Sequence, residues 1–147
     1  MRIIKCHGTS NDFILIDEGL SSEECIENRP ELARALCDRN GPLGADGVLF
    51  ISESTTCDVK MRMLNPDGTE PETCANGLRC AARYYFDVSK KKNGLIETSG
   101  GSAFAEKVDI KEWPGVYCVR VKVGPLSVDP KDFPSVEMST PGFHCFE

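Results

Sequence analysis

Cys74 stands in the stretch Pro71-Glu72-Thr73-Cys74-Ala75-Asn76-Gly77-Leu78, where small residues and an asparagine separate a sharp turn from an apolar run of helical period. If the helix begins at Ala75 or Asn76, the backbone N–H groups of Ala75, Asn76 and Gly77 have no intrahelical acceptor. Those donors and the positive end of the helix dipole favour an anion, either a thiolate at Cys74 or a bound carboxylate. An ordinary thiol, with a pKa of about 8.5, is only slightly ionised at neutral pH, and a helix start raises that fraction. Ala75 and Gly77 also let a ligand come close to the backbone. A thiolate beside a captured anion is a proton acceptor for a carbon acid. The plainer alternative is that Cys74 is a small apolar residue ahead of a helix, because free cysteines are commonly buried and inert.

Two more polar clusters carry amides suited to gripping a polar ligand: His7-Gly8-Thr9-Ser10-Asn11 and Asn65-Pro66-Asp67-Gly68. Asn11 and Asn65 are the candidates, although each also suits plain turn chemistry. The spacing from Cys74 to Cys80 does not match the short pairs of a zinc ribbon, and Cys6-His7 and His144-Cys145 lie at opposite ends of the chain. No metal site is expected.

The elements that must position these residues follow from periodicity. Residues 2–6 and 12–17 read as two strands joined by a polar loop. From Asn28 a helix is expected, with Asn28 as N-cap, Pro30 in its first turn, Glu31 three residues on and Gly41 beyond its end. Leu32, Ala33, Leu36 and Cys37 share one face of it, which makes Cys37 a core residue. Residues 47–52 and 58–65 read as strands, the second alternating Val59, Met61 and Met63 with Lys60 and Arg62. The chain then turns at Asn65 to Gly68 and enters a second helix, whose apolar face carries Leu78, Ala81, Ala82, Tyr85 and Phe86. Strands are expected again at 95–99, 102–110 and 115–124, with a short one at 135–139. The fold class is α+β: mixed, largely antiparallel strands wrapped around a central helix.

At 147 residues, with 40% hydrophobic and 27% charged residues, the chain has the size and composition of one globular domain. Its net charge of -6 argues against a nucleic-acid partner, whose binders carry a basic footprint. No apolar run is long enough to span a bilayer, and the start lacks the apolar segment of a secretory signal, so no membrane partner and a cytoplasmic location are expected. Eight cysteines in a chain of this length without an export signal read as reduced thiols.

Three segments, 5–17 (KCHGTSNDFILID), 41–49 (GPLGADGVL) and 65–83 (NPDGTEPETCANGLRCAAR), resemble in order and spacing the landmark segments of the N-terminal half of the diaminopimelate epimerase family. The resemblance implies one half of the diaminopimelate epimerase-like fold, with residues 1–130 as the half-domain and 131–147 as the start of the crossing into a second half. It implies a cofactor-independent isomerase of a small-molecule amino acid, interconverting LL- and meso-2,6-diaminopimelate on the way to lysine and peptidoglycan. In that chemistry one cysteine removes the α-hydrogen as a thiolate and a second delivers a proton to the opposite face. Cys74 matches the first cysteine. Ala75, Asn76 and Gly77 match backbone donors to the substrate carboxylate, and Asn11 and Asn65 match substrate-contacting asparagines.

The sequence also departs from the family. Ser10 and Ala75 stand where glycine is usual, Gly47 stands where some members place a substrate-contacting glutamine, and Gly142 and Phe143 interrupt a turn near the end. The strings of the second half, with its opposing cysteine, do not occur between Asp87 and Glu147. Cys80, in the same helix as Cys74, is expected to pack internally and not to replace that cysteine. The chain is therefore expected to be a fragment whose missing C-terminal half completes the site, and to be inactive alone. The alternatives are a homodimer that opposes two copies of Cys74, a racemase or epimerase of another amino acid, and a non-catalytic half-domain that binds an amino acid.

Overall fold

The structure, a computed structural model, describes residues 2–19, 26–72, 74–112, 114 and 117–122. The boundary expected at residue 130, the short strand at 135–139, and Gly142 and Phe143 lie outside them.

The chain opens with a tight hairpin. Strands β1 (Arg2–Gly8) and β2 (Asn11–Asp17) pair antiparallel, with Gly8 opposite Asn11. The two residues between them, Thr9 and Ser10, have φ of 52° and 71°, the sign pattern of the turn that matches strand twist. Ser10 thus adopts the left-handed conformation that glycine takes without a steric penalty, which accounts for glycine being usual there.

Helix α1 (Arg29–Cys37) starts as its sequence indicates, because the Asn28 side chain accepts from the Glu31 N–H at 3.2 Å and donates to the Glu31 carboxylate at 2.8 Å. Strand β3 (Gly47–Ser52) then pairs parallel to β2, and β4 (Val59–Leu64) pairs antiparallel to β3. Helix α2 (Ala75–Ser89) follows, ending where Lys90 turns into the left-handed region with its N–H bonded to the Phe86 carbonyl. Strand β5 (Asn93–Thr98) pairs parallel to β4, and β6 (Gly101–Asp109) and β7 (Tyr117–Lys122) continue antiparallel. The described strands form one seven-stranded sheet in chain order from β1 to β7. Four of its six pairings are antiparallel, as the sequence suggests.

The sheet is curled around α2. A flat seven-stranded sheet would be roughly 30 Å wide at about 4.8 Å per strand, against about 10–12 Å for a helix. Yet α2 touches every strand, including both edge strands β1 and β7. Its face of Leu78, Ala81, Ala82 and Phe86 fills the concave side together with Phe13, Leu15, Leu49 and Met61. On the convex side α1 buries Ala33 and Cys37 against Ile14, Ile16, Val48 and Phe50. Strand β2 is consequently buried on both faces, so Phe13 to Ile16 form an unbroken apolar run. Cys37 is core, as its helical position indicates.

Candidate active site

The start of α2 is built as the sequence indicates, with a sulfur as its cap. Cys74 is the N-cap in extended backbone (φ -134°, ψ 95°), and its Sγ accepts from the Gly77 N–H at 3.3 Å. The Leu78 N–H bonds the Cys74 carbonyl at 2.8 Å, closing the first turn. Among the described residues, the amide hydrogens of Ala75 and Asn76 have no acceptor, as the first two positions of a helix require. Cys74 is half-buried, with one side against the core formed by α2 and the sheet. Ala75 is helical and not among the residues at positive φ, so the methyl that replaces glycine there brings no backbone strain.

Two glycines set how close this turn lies to its surroundings. A Cβ on Gly77 would come within 3.0 Å of Leu49 Cδ2 and 3.2 Å of Cys74 Sγ. One on Gly8 would meet the Asn76 carbonyl oxygen at 3.0 Å and Cys80 Sγ at 3.1 Å. The helix start therefore rests directly on the end of β1. Gly47, where a glutamine stands in some relatives, is buried with its Cα facing β4: a Cβ would lie 2.9 Å from the Leu64 carbonyl oxygen and 2.7 Å from Met63 Cε. Any side chain at this position would have to displace β4.

Asn11 and Asn76 meet across this junction, the Asn76 Nδ2 donating to Asn11 Oδ1 at 2.6 Å. Asn65, by contrast, uses its side chain inside its own turn, where Nδ2 donates to Thr69 Oγ1 at 3.0 Å and its backbone N–H bonds the Thr69 carbonyl at 2.8 Å. Asn11, Cys74, Ala75, Asn76 and Gly77 thus come together, and among the described residues no hydrogen bond joins Asn65 to them.

The remaining thiols behave differently. Cys80 is buried, and its thiol is pushed up by its hydrogen bond with Cys6 and by burial. The Cys6 thiol is lowered, chiefly by that same hydrogen bond. Cys80 packs internally, as expected from its place in the helix. The described cysteines, Cys6, Cys37, Cys57, Cys74, Cys80 and Cys118, are all free thiols.

Sequence reasoning missed the charged residues around the asparagine pair. Asp46 Oδ2 accepts from Asn11 Nδ2 at 3.2 Å and from the Asp12 N–H at 3.1 Å. Arg39 reaches both acids, donating to Asp12 at 2.6 and 3.0 Å and to Asp46 at 2.7 Å. The Arg39 guanidinium, and next to it Lys5, hold the Asp12 carboxyl well below the usual carboxylate range. Arg79 donates to Asn76 Oδ1. The available signals were Asp46 within the 41–49 segment and Arg79 within the cysteine motif.

A cavity of about 410 Å³ opens between β1 and the later turns of α2, lined by Ile4, Cys6, Leu15, Cys80, Arg83 and Tyr84 among others. None of the expected site residues lines it. Among the described residues, no group of three or more His, Cys, Asp or Glu is placed to hold a metal ion. No described helix is long and apolar enough to cross a membrane.

A curled seven-stranded sheet around a central helix defines the fold class as α+β. Solved structures with this fold include a methylitaconate-delta-isomerase (TM-score 0.57, 15% identity, covering 79% of this chain and 39% of that one). A Bacillus anthracis phenazine biosynthesis protein of the PhzF family also matches (TM-score 0.55, 18% identity, covering 76% and 38%). A third is a hydroxyproline epimerase from Agrobacterium vitis (TM-score 0.54, 14% identity, covering 80% and 40%).

The sequence narrows the class further. Residues 3–128 match the family model described as diaminopimelate epimerase, and the chain belongs to that family. The diaminopimelate epimerase of Clostridium acetobutylicum is 42% identical over 124 residues, which are 84% of this chain and 37% of that protein. The one from Carboxydothermus hydrogenoformans is 36% identical over 136 residues, 91% of this chain and 47% of that protein. The chain thus spans less than half the length of these relatives.

Proposed function

We propose that this chain supplies one side of a diaminopimelate epimerase active site, with Cys74 as the group that removes the α-hydrogen. The supporting observation is the arrangement at the start of α2, where the Cys74 sulfur sits 3.3 Å from the Gly77 nitrogen. A carboxylate received by the Ala75 and Asn76 N–H groups would hold its α-carbon beside that sulfur. The Gly77 N–H and the positive end of the helix dipole face the sulfur that takes the proton. In this reading the thiolate acts directly, with neither pyridoxal phosphate nor a metal.

Inversion needs a second acid on the opposite face, because a single base returns the proton to the side it left. Cys80 does not meet that need, being buried beneath Gly8 on the inner side of the same helix. The second cysteine is assigned to the half of the family fold that this chain does not span, and the substrate is diaminopimelate in a soluble, cytoplasmic setting.

The test is loss of α-hydrogen to deuterated water across a panel of amino acids, with the chain joined to a second half carrying the opposing cysteine. Exchange confined to diaminopimelate, abolished by Cys74→Ala and retained by Cys37→Ala, supports the reading. Exchange of a different amino acid alone would reassign the substrate. Equal activity in the two variants would show that the proton acceptor lies elsewhere.

A further inference from the structure

We propose that Asp46 and Arg79 are positioning residues that fix the direction of the two site amides, and that Arg39 holds Asp46 in place for this task. The inference rests on the helix start being the ligand site and adds residues that act through Asn11 and Asn76 without touching a ligand.

An asparagine amide can turn over and exchange its donor and acceptor ends at little cost unless its neighbours forbid it. Here both ends of a two-amide chain are fixed. Asp46, as a carboxylate, can only accept, so Asn11 must present its nitrogen to it, as seen at 3.2 Å. Asn11 Oδ1 is thereby turned toward Asn76, which must answer with its nitrogen, as seen at 2.6 Å. Asn76 Oδ1 is left facing Arg79, a guanidinium that can only donate. An anion at one end and a cation at the other make one direction of the chain favourable and the reverse unfavourable at both ends, and aligned amides polarise one another.

The consequence for ligand binding follows from counting hydrogens. Each amide nitrogen carries two, of which one is engaged in the chain. Each amide oxygen already accepts a hydrogen bond. Among the described residues the second hydrogen of each amide has no acceptor, so the asparagine pair offers an incoming carboxylate spare N–H donors beside the Ala75 and Asn76 backbone N–H groups. Were either amide reversed, an oxygen would face the carboxylate and repel it. Arg39 matters because its guanidinium holds Asp12 and Asp46 together, which makes this a network and not an isolated surface pair. The same Asp46 Oδ2 also takes the Asp12 N–H at 3.1 Å, tying the carboxylate to the start of β2.

The experiment uses the ¹⁵N-labelled 147-residue chain and reads the side-chain NH₂ signals of Asn11 and Asn76. Among the described residues no hydrogen bond or ion pair joins Asp46 to Asn76, or Arg79 to Asn11, so an effect across the chain reports the relay. Asp46→Ala should move the Asn76 signals and Arg79→Met should move those of Asn11, with the backbone signals of β3 and β4 unchanged. If each variant moves only the neighbouring amide, the relay is overturned. Should Asp46→Ala fail to fold, Asp46→Asn keeps the shape, removes the charge that sets the direction, and must show the same transmitted change.

Calorimetry with meso-diaminopimelate then separates this inference from the one beneath it. Asp46→Ala should weaken binding about tenfold or more, the effect of misdirecting a hydrogen bond to a charged group. Equal affinity of wild type and Asp46→Ala would overturn the positioning role. Coupled amide signals, with no diaminopimelate bound by the chain joined to a second half, would support the relay and remove the substrate assignment.

Discussion

Replacing Cys74 by serine and by alanine separates what the sulfur does for the fold from what it does for the chemistry. As N-cap, Sγ accepts from the Gly77 N–H at 3.3 Å, and one side of the residue packs on the inner core. Alanine removes both contributions: a lost cap costs about 1 kcal/mol. Losing the half-buried sulfur adds roughly 0.5 kcal/mol of apolar contact. Serine retains the first, since a hydroxyl oxygen is a better N-cap acceptor than sulfur, and it loses part of the second. Cys74→Ser should therefore unfold within about 0.5 kcal/mol of wild type, and Cys74→Ala about 1–2 kcal/mol earlier. At roughly 2–4 °C per kcal/mol for a chain of this size, alanine lowers Tm by about 2–8 °C. Thermal unfolding followed by circular dichroism under reducing conditions measures both. Neither variant should catalyse α-hydrogen exchange. A serine variant less stable than the alanine variant would refute the reasoning, because the sulfur would then act as apolar filling and not as a cap.

Other consequences follow from single positions. Ser10→Gly relieves a left-handed residue in the first hairpin, where φ is 71°, and should raise stability by about 0.5–1 kcal/mol in chemical denaturation; a loss of stability would mean that the serine side chain holds the turn. Gly47→Ala drives a methyl to 2.9 Å from the Leu64 carbonyl and should cost about 1–3 kcal/mol, read from the same denaturation curves, whereas a neutral result would show that β4 yields freely. The Tyr117 hydroxyl is pushed up to about 12, first by burial and then by its hydrogen bond to Asp87. A raised folded-state value means that the folded chain keeps a proton which the unfolded chain gives up near pH 10, so this contribution is whole below about pH 10 and is lost as pH rises toward 12. An ultraviolet titration should show Tyr117 ionising late, and Tyr117→Phe should remove that step; its persistence would reassign the group.

The helix start was legible because its signals are local. Small residues after a cysteine, an apolar period of 3.6 and free N–H groups at the first turn are properties of one short stretch. The hairpin of β1 and β2 and the Asn28 cap could be read for the same reason. What could not be read depends on partners far apart in the chain. Asp46 and Asn11 are 35 residues apart and Asn76 and Asn11 are 65 apart, and only the curled sheet brings them together. Asn65 shows the converse. Its turn chemistry was visible locally, and the structure uses its amide there, bonded to Thr69. The parallel pairings of β2 with β3 and of β4 with β5 were also hidden, since periodicity gives a strand but not its neighbour or direction.

The account stands on the sulfur of Cys74 lying beside amide hydrogens that receive a carboxylate. The most direct measurement is the rate of Cys74 alkylation by iodoacetamide, resolved by peptide mass spectrometry, with and without meso-diaminopimelate. The account predicts that the ligand slows alkylation of Cys74 and leaves that of the exposed Cys118 unchanged. Equal rates at Cys74 with and without saturating ligand would contradict it.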